Sequence, residues 1–100
     1  MMGYWLKEGF ALYLAEQKPS VANIRAHRDI SYEEFSNPNA LQFAEVGGYT
    51  LAYTMMEYLD ENCGWENVLG FLTPGATFES VTGQTAPEFF AGWKTWLKTI

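Results

Sequence analysis

Between Trp5 and Gln17 the side chains of Trp5, Gly9, Leu12 and Tyr13 recur at helical spacing, and nowhere in the hundred residues does apolar and polar alternation run long enough to make a convincing strand. A chain without half-buried strands has to bury its apolar stripes helix against helix. The spacing therefore predicts an all-α fold, a compact bundle of five to seven helices in a single domain over residues 1–100. At 48% apolar content, a chain of this length can bury roughly 60–70% of its unfolded surface. Seventeen aromatic side chains, each able to bury about 150–250 Å², make that core an aromatic one. Any ring left facing outward would add to an apolar patch through which two copies could pair.

Glu8 lies in the middle of the first helical stretch, one turn from Trp5 and Leu12. A buried, unpaired carboxylate costs several kcal/mol or more, so Glu8 is expected at the surface, hydrogen-bonded, or bound to a cation. Gly9 beside it costs about 1 kcal/mol relative to Ala inside a helix, and such a glycine usually permits close approach. The visitor is either a metal-ligand neighbour or simply a crossing helix.

The remaining elements follow from caps and breakers. The first helix runs from about Gly3 to Glu16, and Lys18-Pro19-Ser20 ends it. Ser20 caps a second helix through Arg28 that carries Arg25, His27 and Arg28 toward solvent, either as a solvated face or as a contact for a carboxylate-bearing ligand or partner. Ser31 and Glu34 form a capping box, and Asn37-Pro38-Asn39 stops the short helix it opens. Ala40 to Glu45 reads as a loop leading into a flexible Gly47-Gly48. From Val46 to Asn62, Tyr49, Ala52, Tyr53, Met56 and Leu59 keep helical spacing, with Leu51, Met55 and Tyr58 on a second face, which marks a central helix. Gly64 offers a left-handed stop, after which Trp65–Leu72 and Thr77–Thr82 form short helices, the second closed by Gly83. Thr85, Pro87 and Glu88 open a last helix whose Phe89, Phe90, Trp93, Trp96, Leu97 and Ile100 line one face, a core stripe, while Lys94 and Lys98 complement its C-terminus.

The segment WLKEGFALYL resembles the one that follows the H-E-x-x-H helix in gluzincin zinc peptidases, the aminopeptidase N-like group and its bacterial relatives, where W-L-x-E-G-x-A-x-Y is typical. Trp5, Leu6, Glu8, Gly9, Ala11 and Tyr13 carry the match. It implies that Glu8 is the third zinc ligand. YTLAYTMMEYL, Tyr49 to Leu59, looks like the family's helix bearing the tyrosine that stabilises the oxyanion, which implies that role for Tyr49. On its own sequence pattern, Tyr49 is a core-helix residue whose hydroxyl reaches the edge; it is the resemblance that raises the oxyanion role beside that reading. FESVTGQTAPEFFAGWKTWL is similar to the close of such domains: a short helix, a glycine turn and a Trp-rich last helix. Together these imply the C-terminal helical part of a metallopeptidase-like catalytic domain, with zinc as cofactor of the complete domain and a peptide or protein as substrate.

No H-E-x-x-H occurs in the chain, and its one histidine is His27. A catalytic zinc needs about three protein ligands and an open position, and this sequence offers one. It is expected to be a fragment of a larger metallopeptidase or a degenerate relative, with neither peptidase activity nor tight zinc binding as the isolated chain. The alternative is a stand-alone, non-catalytic interaction module, a homo-oligomer closing over exposed aromatics; a small-molecule binder with a Tyr and Trp pocket rests on composition alone. The net charge of −6 argues against a nucleic-acid partner, which calls for a basic stripe. No apolar run approaches the roughly 20 residues that span a bilayer. Cys63 is the lone cysteine, so no internal disulfide forms, and the compartment is left open.

Overall fold

The computed structural model describes residues 3–36 and 39–100, and its regular structure is helical throughout. Eight α-helices are present among the described residues: α1 (Gly3–Leu14), α2 (Val21–His27), α3 (Tyr32–Ser36), α4 (Ala40–Glu45), α5 (Gly48–Cys63), α6 (Trp65–Val68), α7 (Phe78–Thr82) and α8 (Ala86–Leu97), with a 3-10 turn at Leu69–Leu72. None is long and apolar enough to cross a membrane. The all-α expectation holds, with more and shorter pieces than the five to seven anticipated.

Two departures account for the extra pieces. Ala40–Glu45 is helical where a loop was expected, because the Asn39 side chain accepts from the Gln42 amide at 2.9 Å and the Gln42 side chain accepts from the Asn39 amide at 3.1 Å. That reciprocal pair satisfies two backbone donors that would otherwise be orphaned. Trp65–Leu72, expected as one helix, passes from α to 3-10 geometry after Val68.

The caps read from the sequence are otherwise in place. Ser31 and Glu34 exchange bonds of 3.1 and 3.0 Å, Ser20 accepts from Asn23, and Thr85 and Glu88 form the box that opens α8, with Pro87 in its first turn. Gly83 closes α7 in the left-handed conformation. Gly64 also has a positive φ, but its ψ of 145° places it in an extended region rather than the left-handed helical one expected. The Asn37-Pro38 part of the stop after α3 lies outside the described residues. Gly47-Gly48 is a close-packed joint rather than a flexible one: Gly47 is left-handed with the His27 ring where a Cβ would fall, and Gly48 lies against Phe43.

α5 is the central helix, packed by α1, α2, α4, α6 and α8. Leu51, Ala52, Met55, Met56 and Leu59 are all within 1% of complete burial, so both of its apolar faces are covered. Around it the rings interlock. Trp5 lies 4.9 Å from Phe43, 5.0 Å from Phe35 and 6.0 Å from Trp93, centroid to centroid. Its indole N–H donates to the Phe35 carbonyl at 2.9 Å, and that of Trp93 to the Thr54 hydroxyl at 3.3 Å, so neither Trp buries an unpaired donor. The α8 stripe of Phe89, Phe90, Trp93 and Leu97 is core, as its spacing indicated.

The basic cluster of α2 is not simply solvated. Arg25 and Arg28 both donate to the main-chain oxygen of Ile100, at 3.1 and 2.9 Å, which ties α2 to the end of α8. Lys94 likewise leaves the α8 terminus to bond the Ile30 carbonyl at 2.6 Å.

Candidate functional site

The site begins at a helix crossing. A Cβ on Gly9 would lie 2.7 Å from Met56 Cγ and 3.1 Å from the Ala52 carbonyl oxygen, so α5 approaches α1 as closely as it does because position 9 carries only hydrogen. The crossing helix that the sequence left as one of two options for Gly9 is thus present. Glu8 flanks this crossing on α1, and Tyr49 stands one turn before Ala52 on α5.

An aromatic ladder runs from Tyr49 back to α1. The Tyr49 ring packs edge-on against Phe43 at 5.1 Å, and Phe43 meets Tyr4 at 5.6 Å. Tyr4 and Glu8, four residues apart on α1, share a helix face. The ring contacts therefore bring Tyr4, Phe43 and Tyr49 together, with Glu8 one turn along α1 from Tyr4. Neither Tyr4 nor Phe43 was singled out from the sequence. Tyr4 carried a usable signal, its i,i+4 relation to Glu8; Phe43 had none, because its partners come from two other elements, α1 and α5.

Glu8 is half-buried, and no described residue donates to its carboxylate. No buried side-chain nitrogen or oxygen among the described residues lacks a partner, so the Glu8 oxygens reach solvent past an apolar stem. Tyr49 is 50% exposed. A phenol in that setting still donates well to water, and its preference for an oxyanion becomes large only once water is excluded around it.

Tyr13, Cys63 and His27 are each accounted for by packing or a structural bond. Tyr13 donates to Asp60 Oδ2 at 2.6 Å, and burial, then that bond and the Asp60 charge, push the phenol well above its usual range. Cys63 is half-buried beside a cleft of about 310 Å³ that Tyr58 also lines, and burial raises its thiol, the opposite of an activated nucleophile. His27 packs on Gly47. Among the described residues no three His, Cys, Asp or Glu side chains converge so as to hold a metal, so Glu8 would have to meet zinc with ligands from outside them.

A larger cleft of about 530 Å³ opens elsewhere, between Leu6, Tyr32, Phe71, Phe78 and Glu79. Leu6 and Glu8 are about 160° apart around a helix of 3.6 residues per turn, so this cleft and the Glu8 edge lie on different sides of α1. Compared with family models, curated proteins and solved structures, the chain matches none of them. The class defined by its own geometry is an all-α bundle.

Proposed function

We propose that this chain is the C-terminal helical part of a gluzincin-like zinc peptidase domain, inactive by itself. In the complete domain Glu8 would be the third zinc ligand and Tyr49 would donate to the oxygen that becomes negative when water attacks the peptide carbonyl. Zinc bound there would acidify that water and polarise the carbonyl. The observation that carries the reading is W-L-x-E-G-x-A-x-Y falling on α1, with its glycine at the crossing with the helix of Tyr49. A metal ligand needs a fixed backbone, and the Gly9 crossing fixes the residue beside it. The solvent-reaching carboxylate suits a group whose partner arrives from elsewhere. An interaction module closing over an aromatic stripe has less support, since the α8 stripe is already occupied by the core.

The test is the sequence encoded upstream of Met1 together with two substitutions in the complete domain. An H-E-x-x-H is expected there, and its absence would overturn the peptidase reading. Glu8→Gln should weaken zinc binding by at least about 100-fold, more than the loss of an outer-sphere partner costs. Tyr49→Phe should keep the metal and lower kcat by about 10²–10³-fold with little change in KM. Retained zinc in the first variant, or unchanged kcat in the second, contradicts the assigned role.

A further inference from the structure

The cleft of about 530 Å³ has the volume of a small-molecule site, and its donors and acceptors say what it would take. Its floor is apolar, built from Leu6, Phe71 and Phe78. Of its rim hydroxyls, Thr77 accepts from the Ser80 amide, Thr85 accepts from the Glu88 amide, and Ser36 donates to the Glu33 carbonyl. These are already engaged in holding their own helices. That leaves the Glu79 carboxylate and the Tyr32 phenol, neither of which has a hydrogen-bond or ion-pair partner among the described residues.

No lysine, arginine or histidine lines the cleft. Arg25 and Arg28 are spent on Ile100, Lys94 on Ile30, and Lys18 on Glu57 at 3.5 Å. An ionised carboxylate only accepts hydrogen bonds, so a ligand matching this inventory must bring N–H donors and a positive charge at one end and apolar surface at the other. We infer that the cleft binds a small primary ammonium carrying an aromatic or aliphatic body, its cation on Glu79 and its body on the Leu6, Phe71 and Phe78 floor. An anion of the same shape would face an uncompensated carboxylate.

The test uses three probes that share one ring: tryptamine, tryptophol and indole-3-acetate. Protein-observed NMR titration of the whole chain should show tryptamine shifting the amides of Leu6, Thr77, Phe78 and Glu79. Tryptamine should bind about threefold to fivefold more tightly than tryptophol, the margin of a solvent-accessible ion pair, and indole-3-acetate should bind most weakly. Glu79→Gln should bring tryptamine down to the level of tryptophol while leaving tryptophol unchanged, and that unchanged binding certifies that the variant is folded. Equal affinity for all three probes, shifts confined to other surfaces, or no saturation by about 10 mM would each overturn the proposal.

Discussion

At the scale of single residues, the hydrogen of Gly9 and the hydroxyl of Thr54 each hold a place in the centre of the fold that another group takes only at a cost. A methyl at position 9 meets a flexible Met56 side chain, which can move, and the Ala52 carbonyl, which cannot without shifting α5. Gly9→Ala gains about 1 kcal/mol of helix propensity but overpacks the crossing by about 1–3 kcal/mol, so a net loss of up to about 2 kcal/mol is expected by urea denaturation. Thr54 is fully buried and donates to the Leu51 carbonyl at 2.7 Å while accepting from Trp93. Thr54→Val keeps the shape and strands the Trp93 N–H, a cost of about 1–3 kcal/mol, whereas Thr54→Ser should lose less than half of that. Glu16 works the other way. It is the one described non-glycine residue with positive φ, 56°, and it ends α1 with Gln17 bonded back to the Leu12 carbonyl at 2.9 Å. Glycine is the usual residue in that left-handed cap, so Glu16→Gly should raise stability, by up to about 1 kcal/mol.

At the scale of elements, caps were legible and long-range ties were not. Ser31 with Glu34 and Thr85 with Glu88 are three residues apart, so their chemistry is visible in any short window; Asn39 with Gln42 has the same spacing, but Asn37-Pro38 and Gly47-Gly48 on either side read as a loop and mask it. The grip of Arg25 and Arg28 on Ile100 spans most of the chain, and no local pattern announces it. The candidate site divides the same way: Glu8, Gly9 and Tyr49 stood out as sequence positions, while the Tyr4–Phe43–Tyr49 ladder that links α1 to Tyr49 is tertiary. The Tyr13–Asp60 bond is another such tie, locking α1 to α5, and it carries a pH signature. Burial first, then the bond and the charge of Asp60, raise the Tyr13 phenol above its ordinary 10.0, and burial raises Tyr58 in the same direction. The folded chain therefore holds protons that the unfolded chain releases above pH 10. The stabilisation is complete below that pH and disappears as pH climbs beyond it. Melting temperature should thus fall from about pH 10 upward, and Tyr13→Phe should flatten that decline while costing about 0.5–1.5 kcal/mol at neutral pH.

At the scale of the whole molecule, the question is whether the fold needs a metal. Its core closes without one: Trp5, Phe35, Phe43, Phe89 and Trp93 are each within 1% of complete burial, and no buried polar side-chain atom among the described residues is left unpartnered. The radius of gyration of 12.4 Å is close to the roughly 13 Å of a compact hundred-residue domain. On the proposed reading zinc would therefore be a guest of one edge rather than a condition of folding, and in this chain alone a poorly held one, because among the described residues no three His, Cys, Asp or Glu side chains converge to hold it. Linkage makes the expectation quantitative. A site with a dissociation constant of about 1 µM would, at about 100 µM zinc, stabilise the native state by about 2.7 kcal/mol. For a domain of this length each kcal/mol moves the melting temperature by about 4–8 °C, so such a site would shift it by more than about 10 °C. The isolated chain should instead move by less than about 1 °C with zinc and not at all with EDTA, as read by thermal unfolding in a non-chelating buffer. A shift of about ten degrees or more would mean that these residues grip the ion unaided, and the assignment of Glu8 as one ligand among several supplied from elsewhere would fail.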